Sequence, residues 1–158
     1  MRDGIRISEQ RAEGPRARLE LTPSVLRALL EGDRSARGVV AHVTSVEPLA
    51  LQARIAGILA APGSAVANVD EDQALEDSEL RAGDLLDRFE VGREESLALI
   101  DRLSDEELAV RGELELVGAM TVEHRVTHFA FDDAVHIQQI VPMLALPAEL
   151  GRGGLRQF

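Results

Sequence analysis

Apolar residues recur at the three- and four-residue spacing of amphipathic helices in four segments of the chain, and this pattern constrains the fold most. Thr22 before Pro23, and Thr121 further on, are typical helix starts. Pro48 inside the second segment predicts a kink near Thr44. The predicted helices span residues 22–31, 36–60, 80–103 and 121–141. The sequence therefore predicts an all-α fold, a four-helix bundle.

The rest of the sequence reads as connections within a single domain of 158 residues. Residues 1–21 carry glycine, proline and many charges and are predicted to be loosely ordered, as is the tail at 148–158. A brief extended stretch at 114–117 is the nearest approach to a strand. The linker at 61–79 ends in an acidic run. Extended, it could span about 60 Å, so the second and third helices could lie parallel with a long crossover between them.

Composition excludes several classes of protein. A net charge of −11 repels phosphate backbones, so no nucleic-acid partner is expected. No apolar run approaches the length of a membrane span, and the N-terminus lacks the apolar region of a secretory signal, so a cytoplasmic location is expected. Because the chain has no cysteine, any chemistry must come from histidine, carboxylates, hydroxyls and backbone.

Three of the four histidines fall on the last predicted helix. His124, His128, Asp132 and His136 recur there every four residues. Neighbouring members share one face, so an adjacent pair of histidine and carboxylate could hold a metal ion, although the whole ladder is too long for one ion. The same spacing also suits a solvated polar face. His42, on the second helix, is either a hydrogen-bonded core residue or a ligand.

Asp133 stands in register with the apolar stripe of the last helix, and a buried carboxylate needs a partner. Arg93, in register with the third helix's stripe, and His42 are the two candidates. Glu47 follows His42 on the second helix and either supports a site there or simply pairs with Arg93 or Arg54.

Three stretches resemble helices of the DinB-like superfamily, which includes the mycothiol-dependent maleylpyruvate isomerases. The second helix of that family resembles RSARGVVAHVTSVEPLALQARI, the third DLLDRFEVGREESLALIDRLSDEEL, and the last GAMTVEHRVTHFAFDDAVHIQQI. The match covers residues 34–141 in the same order. Asp132 stands where most members have histidine, whereas maleylpyruvate isomerase-like members have a carboxylate. The chain upstream of Arg34 looks short for the family's long first helix.

The resemblance implies an up-down-down-up bundle with a divalent transition metal in its mouth, held by His42, Asp132 and His136. Such a ligand set suits Zn or Ni first, and Fe or Mn next. Three protein ligands leave positions open for water or substrate, as in catalytic sites. His128, one turn before Asp132, is the predicted catalytic residue and would shuttle protons. Behind these residues, the expected supporting side chains are Glu47, Asp133 and Arg93.

Two kinds of enzyme follow from that resemblance. The first is a thiol S-transferase or isomerase, in which a low-molecular-weight thiol arrives as cosubstrate because the chain has no cysteine. The second is a hydrolase that uses metal-activated water. A non-enzymatic bundle whose metal site has decayed is the third hypothesis. A homodimer is expected in each case, and for the enzymes a small-molecule substrate that the sequence does not identify.

Overall fold

Long helices make up most of the described chain. The computed structural model describes residues 7–30, 37–67, 80–115 and 118–145, with side chains for 14–29, 37–67, 80–115 and 118–141. Its elements are α1 (Ile7–Leu30), α2 (Arg37–Val46), a π-helical segment (Glu47–Gln52), α3 (Ala53–Ala60), β1 (Ala65–Val66), α4 (Ala82–Ile100), α5 (Asp105–Leu108), β2 (Arg111–Leu114), β3 (Gly118–Thr121) and α6 (Val122–Ala145). The predictions for residues 1–6, for the acidic part of the linker at 68–79 and for the tail at 148–158 lie outside the described residues.

Four bundle helices run up, down, down and up. The first is α1, the second comprises α2, the π segment and α3, the third is α4 and the fourth is α6. Contacts in step along neighbouring helices fix their directions: Arg16–Asp101 and Arg27–Glu90 for the first and third, Thr44–Leu85 and Gln52–Ser96 for the second and third, and His42–His136 and Ala50–Arg125 for the second and fourth. The second and third helices are therefore parallel, and residues 61–81 make the long crossover. The predicted fold is confirmed.

The apolar core has two parts with a polar layer between them. One part is built around Leu19, Leu51, Ile55, Ile58 and Phe129, and the other around Leu26, Val40, Leu85, Phe89 and Ile140. Each fully buried side chain of this kind stabilises the fold by about 1.5–3 kcal/mol. On each bundle helix one buried polar residue lies between the two parts: Thr22, Glu47, Arg93 and Asp133.

The first helix begins earlier than predicted. The expected start at Thr22 and the loose segment before it are wrong, because α1 is helical from Ile7 and contains both Pro15 and Pro23. Pro23 has no N–H to donate to the carbonyl of Leu19 four residues before it. Arg93 Nη1 donates to that carbonyl instead, at 2.9 Å. A side chain from another helix thus compensates for the proline.

Pro48 changes the second bundle helix without ending it. The expected kink near Thr44 is replaced by the π-helical segment, which starts at Glu47. At its end the N–H of Ala53 donates to the carbonyl of Pro48, five residues back. π-helical turns of this kind are rare and often lie at functional sites.

A small three-stranded sheet closes one end of the bundle. β2 and β3 form an antiparallel hairpin, and β1 pairs with β2 in parallel. The expectation of no convincing strand is therefore wrong. Gly112 is required in β2, because a Cβ there would lie 2.5 Å from Ile58 Cγ1.

Local signals at two other helix starts are confirmed. Ser104 and Glu107 form the expected capping box, and Thr121 Oγ1 accepts from the N–H of His124 at 3.1 Å. The fourth helix continues past the expected end at Val141, through Pro142, to Ala145. None of the described helices combines the length and apolar character that crossing a bilayer requires.

Candidate functional site

A buried ion cluster joins all four bundle helices at the polar layer. Arg93 Nε and Nη2 donate to Glu47 at 2.8 and 2.7 Å, while Nη1 and Nη2 donate to Asp133 at 2.5 and 3.1 Å. Nη1 also donates to Leu19, so all five guanidinium protons have acceptors. Thr22 Oγ1 lies 2.6 Å from Asp133 Oδ2. We call Thr22, Glu47, Arg93 and Asp133 the Arg93 cluster.

Electrostatics keep Arg93 charged in this cluster. Burial alone would lower its pKa, but the hydrogen bond from Asp133 and the charges of both carboxylates outweigh burial and raise it. The rings of Phe89 and Phe129 lie 4.8 and 5.8 Å from the guanidinium carbon and add cation–π attraction. Burial raises the pKa of Glu47, and the nearby charge of Asp133 adds to this rise. The cluster holds two carboxylates for one guanidinium.

Asp133 therefore contacts Arg93 and not His42, the other partner considered from the sequence. Glu47 pairs with Arg93 as well. These contacts fix the rotation of α6 about its axis, since Asp133 must face the bundle interior. The next residue back, Asp132, then points about 100° away, toward the second bundle helix.

A polar groove runs between the second and fourth bundle helices. On α6 it is lined by a stripe at helical spacing, Arg125, His128, Asp132 and His136. On the opposite side it is lined by His42, Ala50 and Arg54. This stripe is about 16 Å long from Arg125 to His136, as eleven residues of helix require.

Two histidines meet at the mouth of this groove. The rings of His42 and His136 have centroids 5.2 Å apart and planes at 65°. Two imidazoles bound to one zinc ion at a tetrahedral angle have centroids about 5 Å apart, so this spacing fits a shared ion. His136 Nδ1 lies 3.1 Å from Gln139 Oε1, which favours a proton on Nδ1 and leaves Nε2 as the ligating nitrogen.

Asp132 makes a different contact. Its Oδ2 lies 3.0 Å from His128 Nδ1, and Arg125 Nη1 lies 3.3 Å from the same nitrogen. A carboxylate only accepts and a guanidinium only donates, so the ring nitrogen can serve only one of them at a time. With its proton on Nδ1, His128 holds Asp132. With its proton on Nε2, it accepts from Arg125 and releases Asp132.

The three predicted metal ligands are thus brought to one groove but do not all converge. His42 and His136 meet, whereas Asp132 faces His128. Within the part of the chain that the structure describes, no three histidine, aspartate or glutamate side chains form a ready metal site. The residues present fit two ligands of an ion directly, and a third only after Asp132 leaves His128.

Sequence reasoning missed the far end of the groove. Arg125 is buried; its Nε donates to the carbonyl of Ala50 at 2.9 Å, and its guanidinium lies over Phe129 at 5.4 Å. Burial lowers the pKa of Arg125 to about 10, and the charge of Arg54 lowers it further. Burial also lowers the pKa of Arg54, while Asp132 opposes the shift. The available signal was the seven-residue spacing of Arg125 from Asp132.

The match to known families covers most of the chain. The profile of the DinB superfamily matches residues 11–140. The chain belongs to the DinB superfamily. No curated protein gives a significant match. Among solved structures, YfiT from Bacillus subtilis is similar with a TM-score of 0.77 and 18% sequence identity, over 97% of this chain and 94% of that one. YfiT is described as a probable metal-dependent hydrolase with an unusual four-helix bundle topology.

Proposed function

We propose that this protein is a metal-dependent hydrolase whose divalent ion is held at the mouth of the groove by His42, His136 and Asp132. The observation that carries the proposal is the meeting of two imidazoles from different bundle helices at 5.2 Å. The description of YfiT, which shares this fold, supports it. Zn or Ni, and then Fe or Mn, remain the predicted metals for two imidazoles and a carboxylate.

Each residue of the groove has a distinct part in this proposal. His42 and His136 supply nitrogen ligands, and Gln139 sets the tautomer of His136. Asp132 completes the set when His128 takes the tautomer that accepts from Arg125. A bound ion would lower the pKa of its water and so provide a nucleophile. His128, whose side chain is 45% exposed, then lies one turn from the ion and can take up a proton from the mouth of the groove.

Metal analysis of untagged protein tests the ligand set. We expect about one transition metal ion per chain, and a rise in melting temperature when Zn²⁺ is added to chelator-treated protein. His42→Ala and His136→Ala should both lose the ion and the rise. His124→Ala is the matched control, because His124 is an exposed histidine on the same helix. Metal-free protein that ignores added Zn²⁺ and Ni²⁺ would contradict the proposal and favour the decayed-site hypothesis.

Turnover separates a hydrolase from an S-transferase or isomerase. Metal-loaded protein should hydrolyse a panel of chromogenic esters and amides without added thiol, and lose that activity in His136→Ala. Activity seen only with a low-molecular-weight thiol would replace the hydrolase by the thiol-dependent alternative, since the chain has no cysteine of its own. The homodimer remains a prediction, which sedimentation velocity would check.

A further inference from the structure

Two guanidinium groups lie together at the end of the polar groove opposite the histidines. Arg125 reaches from α6 to the carbonyl of Ala50, and Arg54 follows Ala50 by one turn on the same face of the second bundle helix. Arg125 is buried, with 3% of its surface exposed, whereas Arg54 is half-buried. Arg54 therefore faces the groove, and Arg125 supports it from behind.

This pairing is electrostatically unfavourable without a nearby anion. The two charges repel each other, and burial removes part of the hydration of both, as the lowered pKa values show. Asp132 attracts both groups, but it also faces His128 and is a predicted metal ligand. When Asp132 turns toward an ion, its attraction for the guanidinium groups weakens. Clusters of perturbed charges in a groove are typical of binding sites.

We propose that Arg54 and Arg125 form a binding subsite for an oxyanion, the carboxylate or phosphate of a small substrate. Guanidinium groups suit this ligand because their planar donors match two oxygens of a carboxylate or phosphate. In a chain with a net charge of −11, an anionic substrate needs such a local positive site to enter the groove. Recognition of an oxyanion is independent of the metal.

The position of the subsite also describes the substrate, and this part depends on the proposed function. Arg125 and Asp132 are two helical turns apart, about 10 Å along the axis of α6. An anion held by the arginines and a group reacting at the histidine end are therefore separated by several bonds. The substrate class is a small, elongated molecule with a carboxylate or phosphate at the end remote from the bond that is cleaved.

Calorimetric titration of chelator-treated protein tests the subsite, with inorganic phosphate and acetate as separate probes at constant ionic strength. We expect saturable binding of at least one probe, and the preferred one identifies the oxyanion. Arg54→Gln should weaken it at least tenfold, since a charged, desolvated hydrogen bond is lost. Arg102→Gln, which removes an exposed arginine outside the groove, is the control and should bind as the wild type does. Arg125→Gln, checked for folding by circular dichroism, should also weaken binding.

Two results would overturn the subsite: no saturable binding of either probe, or equal binding by Arg54→Gln and the wild type. Failure here is distinguishable from failure of the proposed function. His42→Ala should lose the metal but keep oxyanion binding, because His42 lies at the other end of the groove. Metal binding without oxyanion binding would reject the subsite alone, and oxyanion binding without metal would reject the hydrolase alone.

Discussion

Replacing Arg93 with methionine is expected to destabilise the protein by about 3–5 kcal/mol at pH 7. The reason is that Glu47 and Asp133, with side chains 1% and 5% exposed, would remain buried without their guanidinium partner. Leu19 would also lose the donor that compensates for Pro23. For a chain of this length such a loss lowers the melting temperature by about 10–15 °C. Urea denaturation followed by circular dichroism measures it directly.

Two companion measurements isolate the electrostatic cause. In Arg93→Met the folded pKa of both carboxylates should lie above the unfolded value. Stability is then fully present below the unfolded pKa and lost as the pH rises through the folded one. The destabilisation should thus be smaller at pH 5 than at pH 8. Changing Glu47 and Asp133 to leucine as well should recover stability to within about 2 kcal/mol of the wild type. A single variant that is as stable as the wild type, or equally weakened at both pH values, would refute this reasoning.

Two further perturbations test the packing of the sheet and a surface ion pair. Gly112→Ala should cost about 1–3 kcal/mol, because the new Cβ would overlap Ile58; an unchanged urea midpoint would show that β2 moves away freely. The hydrogen bond from Arg16 lowers the pKa of Asp101, so that pair stabilises the protein above the ordinary carboxyl value of about 4, and its contribution is lost as the pH falls through the lowered value. Asp101→Asn should therefore cost less than about 1 kcal/mol at pH 7, with a difference from wild type that shrinks in acid, and a difference that grows in acid would contradict this.

The parts of the fold that the sequence predicted are those set by local or periodic signals. The apolar stripes placed the second, third and fourth bundle helices, and the capping box at Ser104 depends only on nearby residues. Asp133 stood out because a carboxylate in an apolar stripe needs a buried partner, and Arg93 had the matching register.

Other features could not be predicted because distant residues decide them. Proline and glycine made the first half of α1 look unsuited to a helix, yet Leu19 is fully buried and Arg93 supplies the donor that Pro23 lacks. The strands have two to four residues, too few to show an alternating pattern.

In the candidate site, the sequence brought the correct residues to one groove but not their side-chain contacts. The position of Asp132 depends on competition among His128, Arg125 and Arg54, which come from two bundle helices. Helical spacing alone describes only one side of that competition. The arginine end of the groove was missed for the same reason.

The π-helical segment gives the second bundle helix a phase that an uninterrupted α-helix would lack. It lies between His42 and Arg54, so it sets the angle at which these two residues face α6. Deleting one residue from Glu47–Gln52 and restoring α-helical winding would turn one of them by about 100° relative to the other. Because each π turn takes in one more residue than an α turn, the two ends of the groove are geared to each other through this segment. Proteins of this family that lack it would have to bring another pair of side chains into line.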